Sequence, residues 1–177
     1  TDYTDIFAKA AITDILDGFK KIVAVDDEAA RKAIIAENSA MFLRASNYAG
    51  IAFCNSSCGA VHAMSYAFGA KYHVAHGESN YQFFTAVLDF YKKAQPEGKW
   101  ADFEAYICNI LGGDDAVKAI DDLLEKLLPL KKMSEYGAVQ DDIAPFAKST
   151  YDEQQRLLSG NYIPMTEADL AALFQAR

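Results

Sequence analysis

The sequence lacks most of the features that would place a 177-residue chain in a specialised class. Cysteine is scarce: Cys54, Cys58 and Cys108 are an odd number, in a chain too long to need a disulfide scaffold. Free thiols point to a reducing compartment, and a cytoplasmic location is expected. Cys54-x3-Cys58 is neither the zinc-knuckle nor the thioredoxin spacing, so these thiols read as small apolar side chains. No window approaches the roughly 18 uninterrupted apolar residues of a membrane span, so no membrane partner is expected. TDYTDIFAKA has no basic stretch ahead of an apolar one, and no signal peptide is expected there. Positive charge is also short: 17 Lys and Arg against 25 Asp and Glu leave a formal charge of −8. That argues against nucleic acid as a partner, because a phosphate backbone needs clustered cations. No run alternates with period two for long enough to be a strand. No glycine-rich fingerprint follows a strand, and no Glu-x-x-His pair of a binuclear metal bundle occurs.

What is present is apolar mass with helical spacing. Hydrophobic residues make up 51% of the chain, enough to offset the ordering entropy and exclude disorder as the main state. Acidic charge is uneven: residues 1–96 carry 10 acids and 9 bases, residues 97–177 carry 15 and 8. The second half therefore reads as solvated helix surface, and the first as the place for buried chemistry.

Ile12, Ile15, Leu16, Phe19, Ile22 and Val23 fall on one stripe of a first helix. The acidic run Asp26-Asp27-Glu28 suits the start of a second, expected to reach about Tyr48 and end at Gly50. GAVHAMSYAF predicts a short buried helix over 59–68, stopped by Gly69, with AKYHVAH as a loop. The next helix begins at HGESN. Trp100 to Leu111 follows, ended by Gly112-Gly113. Asp114 or Asp115 then caps a helix with Ile120, Leu123 and Leu127 on its stripe, ended by Pro129. LKKMSEYGAV reads as a connection and Asp141 to about Leu158 as helix. Thr166 and Asp169 form a capping box for the last helix. The expected architecture is all-α, a multi-helix bundle of about seven to nine helices.

The three histidines, His62, His73 and His76, lie within fifteen residues of each other. Each alone reads as a hydrogen-bonded core or turn residue. Together, His62 and His76 on adjacent elements near Tyr66 can converge on a divalent cation, for which imidazole is the usual ligand. Two ligands fall short of a catalytic site, and Glu78 and His73 are the weak further candidates. A shared ion requires ring nitrogens that can approach closely; a gap beyond about 10 Å, with no rotamer to close it, would reject the pairing.

The stretch GAVHAMSYAFGAKYHVAHGESN resembles the second signature of the iron-containing (group III) alcohol dehydrogenases, matching at Gly59, His62, Ala63, Tyr66, Gly69, His76, Gly77 and Asn80. HGESNYQFFTAV, LKKMSEYGA and QQRLLSGNYIPMTEADL are similar to the branch of that family acting on 4-hydroxybutyrate. The resemblance implies an N-terminal α/β domain binding NAD or NADP, a C-terminal all-α domain, and Fe²⁺ or Zn²⁺ in the cleft between them. It implies His62 and His76 as two metal ligands, the other two being an Asp and a His upstream of Thr1. Residues 1–177 are then expected to form a single all-α metal-binding domain, with the nucleotide-binding domain absent and no activity on its own. Ala67 stands where the family commonly has Pro, and Tyr66 where many members have His. Tyr66 is expected to orient the substrate or relay a proton, and Lys71 and His73 to meet a substrate carboxylate. The resemblance implies a small alcohol or aldehyde substrate, the N-terminal domain as partner, and a homo-oligomer. The reaction implied interconverts 4-hydroxybutyrate and succinate semialdehyde, with hydride passing to or from a nicotinamide. The competing expectation is a stand-alone helical interaction module whose aromatics, Phe83, Phe84 and Trp100, are only core.

Overall fold

A computed structural model describes residues 1–177 and is all-α. In order, the helices are α1 (Asp2–Val23), α2 (Glu28–Glu37), α3 (Ser39–Ser56), α4 (Ala60–Tyr72), α5 (His76–Ala94), α6 (Lys99–Leu111), α7 (Ala116–Leu127), α8 (Ile143–Glu153), α9 (Gln155–Leu158) and α10 (Glu167–Gln175). Two short 3-10 turns, Met133–Tyr136 and Gln140–Asp142, occupy the stretch expected to be a plain connection. No helix is long and apolar enough to cross a membrane. The chain divides into two compact units, Thr1–Ser56 with Asp102–Pro129, and Ser57–Ala101 with Leu130–Arg177.

In the first unit α1 packs chiefly on α3 and α7. The buried stripe is the expected one in part, with Leu16 and Ile22 inside, joined by Ala45 and Ala52 of α3 and Ile120 and Leu123 of α7. The single second helix expected to reach Tyr48 is two helices. Asn38 separates α2 from α3, leaving helical geometry at φ −99° and bonding its side-chain amide to the Ile34 carbonyl. Gly50 does not end a helix; it lies inside α3 with nothing within 4 Å of a would-be Cβ. Asp27 caps α2 and Asp115 caps α7 through bonds to Ala30 and Lys118 backbone N–H groups, which offsets orphan donors at each start.

In the second unit α4 packs on α5 and α8, and α10 on α8 and α5. Phe68, Phe83 and Phe174 are fully or almost fully buried. Phe83 meets Phe174 at 5.0 Å and Phe68 at 5.9 Å between ring centres, both edge-on, the geometry ring quadrupoles favour. Gly69 does not stop α4, which runs on to Tyr72. A Cβ at Gly69 would lie 2.6 Å from the Ser79 hydroxyl, so its glycine lets α5 come close rather than breaking the helix. The segment expected as the loop AKYHVAH shrinks to the link between α4 and α5, with His73 in left-handed geometry at φ 54° as the α4 cap. The helix expected over 141–158 is interrupted at Gln154, dividing α8 from α9. Thr166 and Asp169 do form the capping box of α10.

Candidate metal centre

The expected site residues all lie in the second unit. His62 occupies the first turn of α4 and is half-buried; His76 is the first residue of α5 and is exposed. Their ring centres are 5.0 Å apart, close enough for two nitrogens to reach one ion. Tyr66, one turn beyond His62 on α4 and 40% exposed, stacks on His76 at 5.9 Å with a 27° interplanar angle. The i, i+4 spacing puts His62 and Tyr66 on one helix face. Burial lowers the His62 pKa, and the nearby His76 lowers it further, so the neutral imidazole that a metal requires is favoured.

Asn80 completes the group. Its side-chain nitrogen lies 3.1 Å from Nε2 of His76, one turn along α5. Its amide oxygen is buried without a hydrogen-bond partner. The donor set fits a divalent cation as half a site: two imidazoles converge, and no cluster of three His, Cys, Asp or Glu side chains forms around them. Glu78 is engaged elsewhere, accepting from the Tyr136 hydroxyl at 2.6 Å and facing Lys131 at 3.7 Å. His73 is an exposed helix cap.

Lys71 lies at the other end of α4. Its ammonium pairs with the buried carboxylate of Asp142, which also accepts from the Tyr72 hydroxyl and from the Val139 N–H at 2.9 Å. The Lys71 hydrogen bond, then that of Tyr72, holds the Asp142 carboxyl at about 2, below its usual 3.8. Tyr66, Ala67, Lys71, Phe146 and Thr150 line a groove of about 750 Å³ between α4 and α8, within the range of small-molecule sites. The ion pair of Asp142 carried no local signal in the sequence, since Lys71 and Tyr72 are some 70 residues away. Asn80 did carry one: i, i+4 from His76 places it on the same face. None of the three cysteines forms a disulfide; Cys58 and Cys108 are partly buried, whereas Cys54 is exposed and not packed as a small apolar side chain.

The all-α fold with paired imidazoles at adjoining helix starts has known relatives. Residues 1–177 match the Fe-containing alcohol dehydrogenase family, C-terminal part, and the chain belongs to that family. It is 41% identical over 175 residues to 4-hydroxybutyrate dehydrogenase of Clostridium kluyveri, covering 98% of this chain and 46% of that protein. It is 29% identical to long-chain-alcohol dehydrogenase 1 of Geobacillus thermodenitrificans, covering 98% and 43%. The crystal structure of a 1,3-propanediol oxidoreductase superposes with a TM-score of 0.80 at 26% identity, covering 99% of this chain and 45% of the other. The chain thus spans less than half the length of these relatives.

Proposed function

We propose that this chain is the C-terminal, helical part of a metal-dependent, NAD(P)-linked alcohol dehydrogenase that interconverts 4-hydroxybutyrate and succinate semialdehyde. The reading rests on one observation above all: His62 and His76 meet within 5.0 Å beside an exposed tyrosine, in a chain 41% identical to a 4-hydroxybutyrate dehydrogenase. His62 and His76 hold Fe²⁺ or Zn²⁺, completed by an Asp and a His upstream of Thr1, and an N-terminal nucleotide-binding domain carries NAD or NADP. The bound metal supplies Lewis acidity at the substrate oxygen, and the nicotinamide supplies or takes the hydride. Asn80 holds the His76 ring in place. Tyr66, on the same face, relays the hydroxyl proton to solvent. The substrate's carbon chain runs along the α4–α8 groove with its carboxylate toward Lys71, whose charge is shared with Asp142, and toward His73 beyond it. The residues 1–177 alone lack activity, and the whole protein is a cytoplasmic homo-oligomer.

The test is NAD- or NADP-linked oxidation of 4-hydroxybutyrate by the whole protein. Chelation should abolish turnover, and added Fe²⁺ or Zn²⁺ should restore it. His62→Ala or His76→Ala should lower kcat/KM by at least about 100-fold and cut bound metal in parallel. Lys71→Met should raise KM for 4-hydroxybutyrate while leaving butan-1-ol unaffected. Full activity in either histidine variant would overturn the metal assignment, and equal turnover of butan-1-ol would overturn the hydroxy-acid assignment.

A further inference from the structure

α4 has no cap of its own. Its N-cap residue, Gly59, has no side chain to offer the first orphan N–H groups, yet His62 stands in that first turn. The missing acceptor comes from far along the chain. Oδ1 of Asn161 accepts from the Ala60 N–H at 2.9 Å, across a separation of 101 residues. The same oxygen accepts from the Tyr91 hydroxyl, near the far end of α5. Nδ2 of Asn161 donates to the Ile163 carbonyl at 2.7 Å, which fixes the amide in its own turn. Gly59 lies close against it: at φ 74°, a Cβ there would be 2.8 Å from Oδ1. Burial pushes the Tyr91 hydroxyl up to about 12, so it remains a donor throughout the neutral range.

We propose that Asn161 is a positioning residue for His62, acting as the remote N-cap of α4 so that the His62 ring is held against His76. The proposal rests on the reading of His62 and His76 as metal ligands for its consequence in the enzyme, but its geometry is independent of metal. His76 gains nothing from Asn161: it sits at the opposite end of α5 from Tyr91 and is held by Asn80. Loss of the cap should therefore let the first turn of α4 fray and carry His62 away, while Tyr66, one turn deeper, keeps its stack on His76.

The experiment uses the protein with ¹³C-labelled histidine and tyrosine. In the metal-free protein, ring-to-ring NOEs should connect His62 with His76 and Tyr66 with His76. Asn161→Ala should lose the first and retain the second, and should weaken Co²⁺ binding, followed by its visible absorption, by about 10–100-fold. Asn161→Asp keeps the accepting oxygen but loses the donor to the Ile163 carbonyl, and should therefore restore the NOE and the affinity in part, to a level between Asn161→Ala and the wild type. Gly59→Ala, with Asn161 intact but pushed away, should reproduce the Asn161→Ala pattern and serves if that variant does not fold. A variant that melts earlier yet keeps the His62–His76 NOE and the Co²⁺ spectrum would overturn the proposal, as would loss of both NOEs together. If the wild-type protein shows both NOEs but Co²⁺ affinity is the same in His62→Ala, the metal reading fails and the positioning role stands.

Discussion

The two units of the chain solve the same packing problem with different side chains. The unit built on α1, α3 and α7 is closed by small and aliphatic residues, among them Ala11, Leu16, Ala45, Ala116 and Ile120. Its α2 buries no residue at all. The unit built on α4, α5, α8 and α10 is closed by aromatic rings that meet edge to face around Phe83. Both imidazoles, Tyr66 and the Lys71–Asp142 pair belong to this second unit. The difference teaches where rigidity is spent. Rings locked by several neighbours leave few alternative packings, and helices held that way keep their surface side chains in register.

Substitutions can break that contrast. The largest effect is expected for Phe83→Ala, which removes a fully buried ring from the aromatic centre and should cost about 3–5 kcal/mol in urea unfolding. Leu16→Ala, at an 8% exposed position of the other unit, should cost about 2–3 kcal/mol. Equal losses would mean that the two cores are equally tight. Next come the glycines. Gly69→Ala forces a Cβ against Ser79 and the Val74 carbonyl and should destabilise by about 1–3 kcal/mol. Gly50→Ala, in open space inside α3, should stabilise by about 1 kcal/mol through helix propensity alone. Opposite signs in thermal melts support the contrast; a shared sign would remove it.

Acid sharpens the same comparison. The folded Asp142 carboxyl titrates near 2 because Lys71 and Tyr72 bind its charged form, against 3.8 when unpaired. A depressed carboxyl contributes stability above pH 4 and loses it as pH falls toward 2. Urea midpoints should therefore drop between pH 4 and pH 2 in the wild type, and Asp142→Asn should flatten that drop. An equal slope in the variant would place the acid sensitivity elsewhere. A loss as small as the gain at Gly50→Ala is expected at Thr166→Ala, about 1 kcal/mol for loss of the α10 cap, read from the same curves.

The helical architecture was legible because α1 and α7 carry strong apolar stripes and because Asp115 and Thr166 are local caps. That His62 and His76 come together beside Tyr66 was legible from their spacing on adjacent elements. What the sequence did not disclose depends on contacts made at a distance. Gly69 and Gly112 look alike in one dimension; one admits a neighbouring helix and the other ends its own. Asn38 divides α2 from α3 through its bond to the Ile34 carbonyl, which propensity does not foretell. Asp142 and Asn161 bond to Tyr72 and Ala60 across 70 and 101 residues, pairings that no local pattern announces.

The short link between α4 and α5 has a kinetic consequence. His62 and His76 are 14 residues apart, whereas Ala60 and Asn161 are 101 apart. Closing the longer loop costs about 1.7 kcal/mol more chain entropy, from the logarithmic dependence on length. The hairpin that carries both imidazoles is therefore expected in the folding transition state, and the remote amide bond after it. Kinetic φ-values should be high for Gly69→Ala at the α4–α5 contact and near zero for Asn161→Ala. The reverse order would mean that the Ser159–Ile163 turn nucleates the unit. With the expected order, the imidazole pair arises as a loose local encounter during folding and is tightened last, by a residue near the end of the chain.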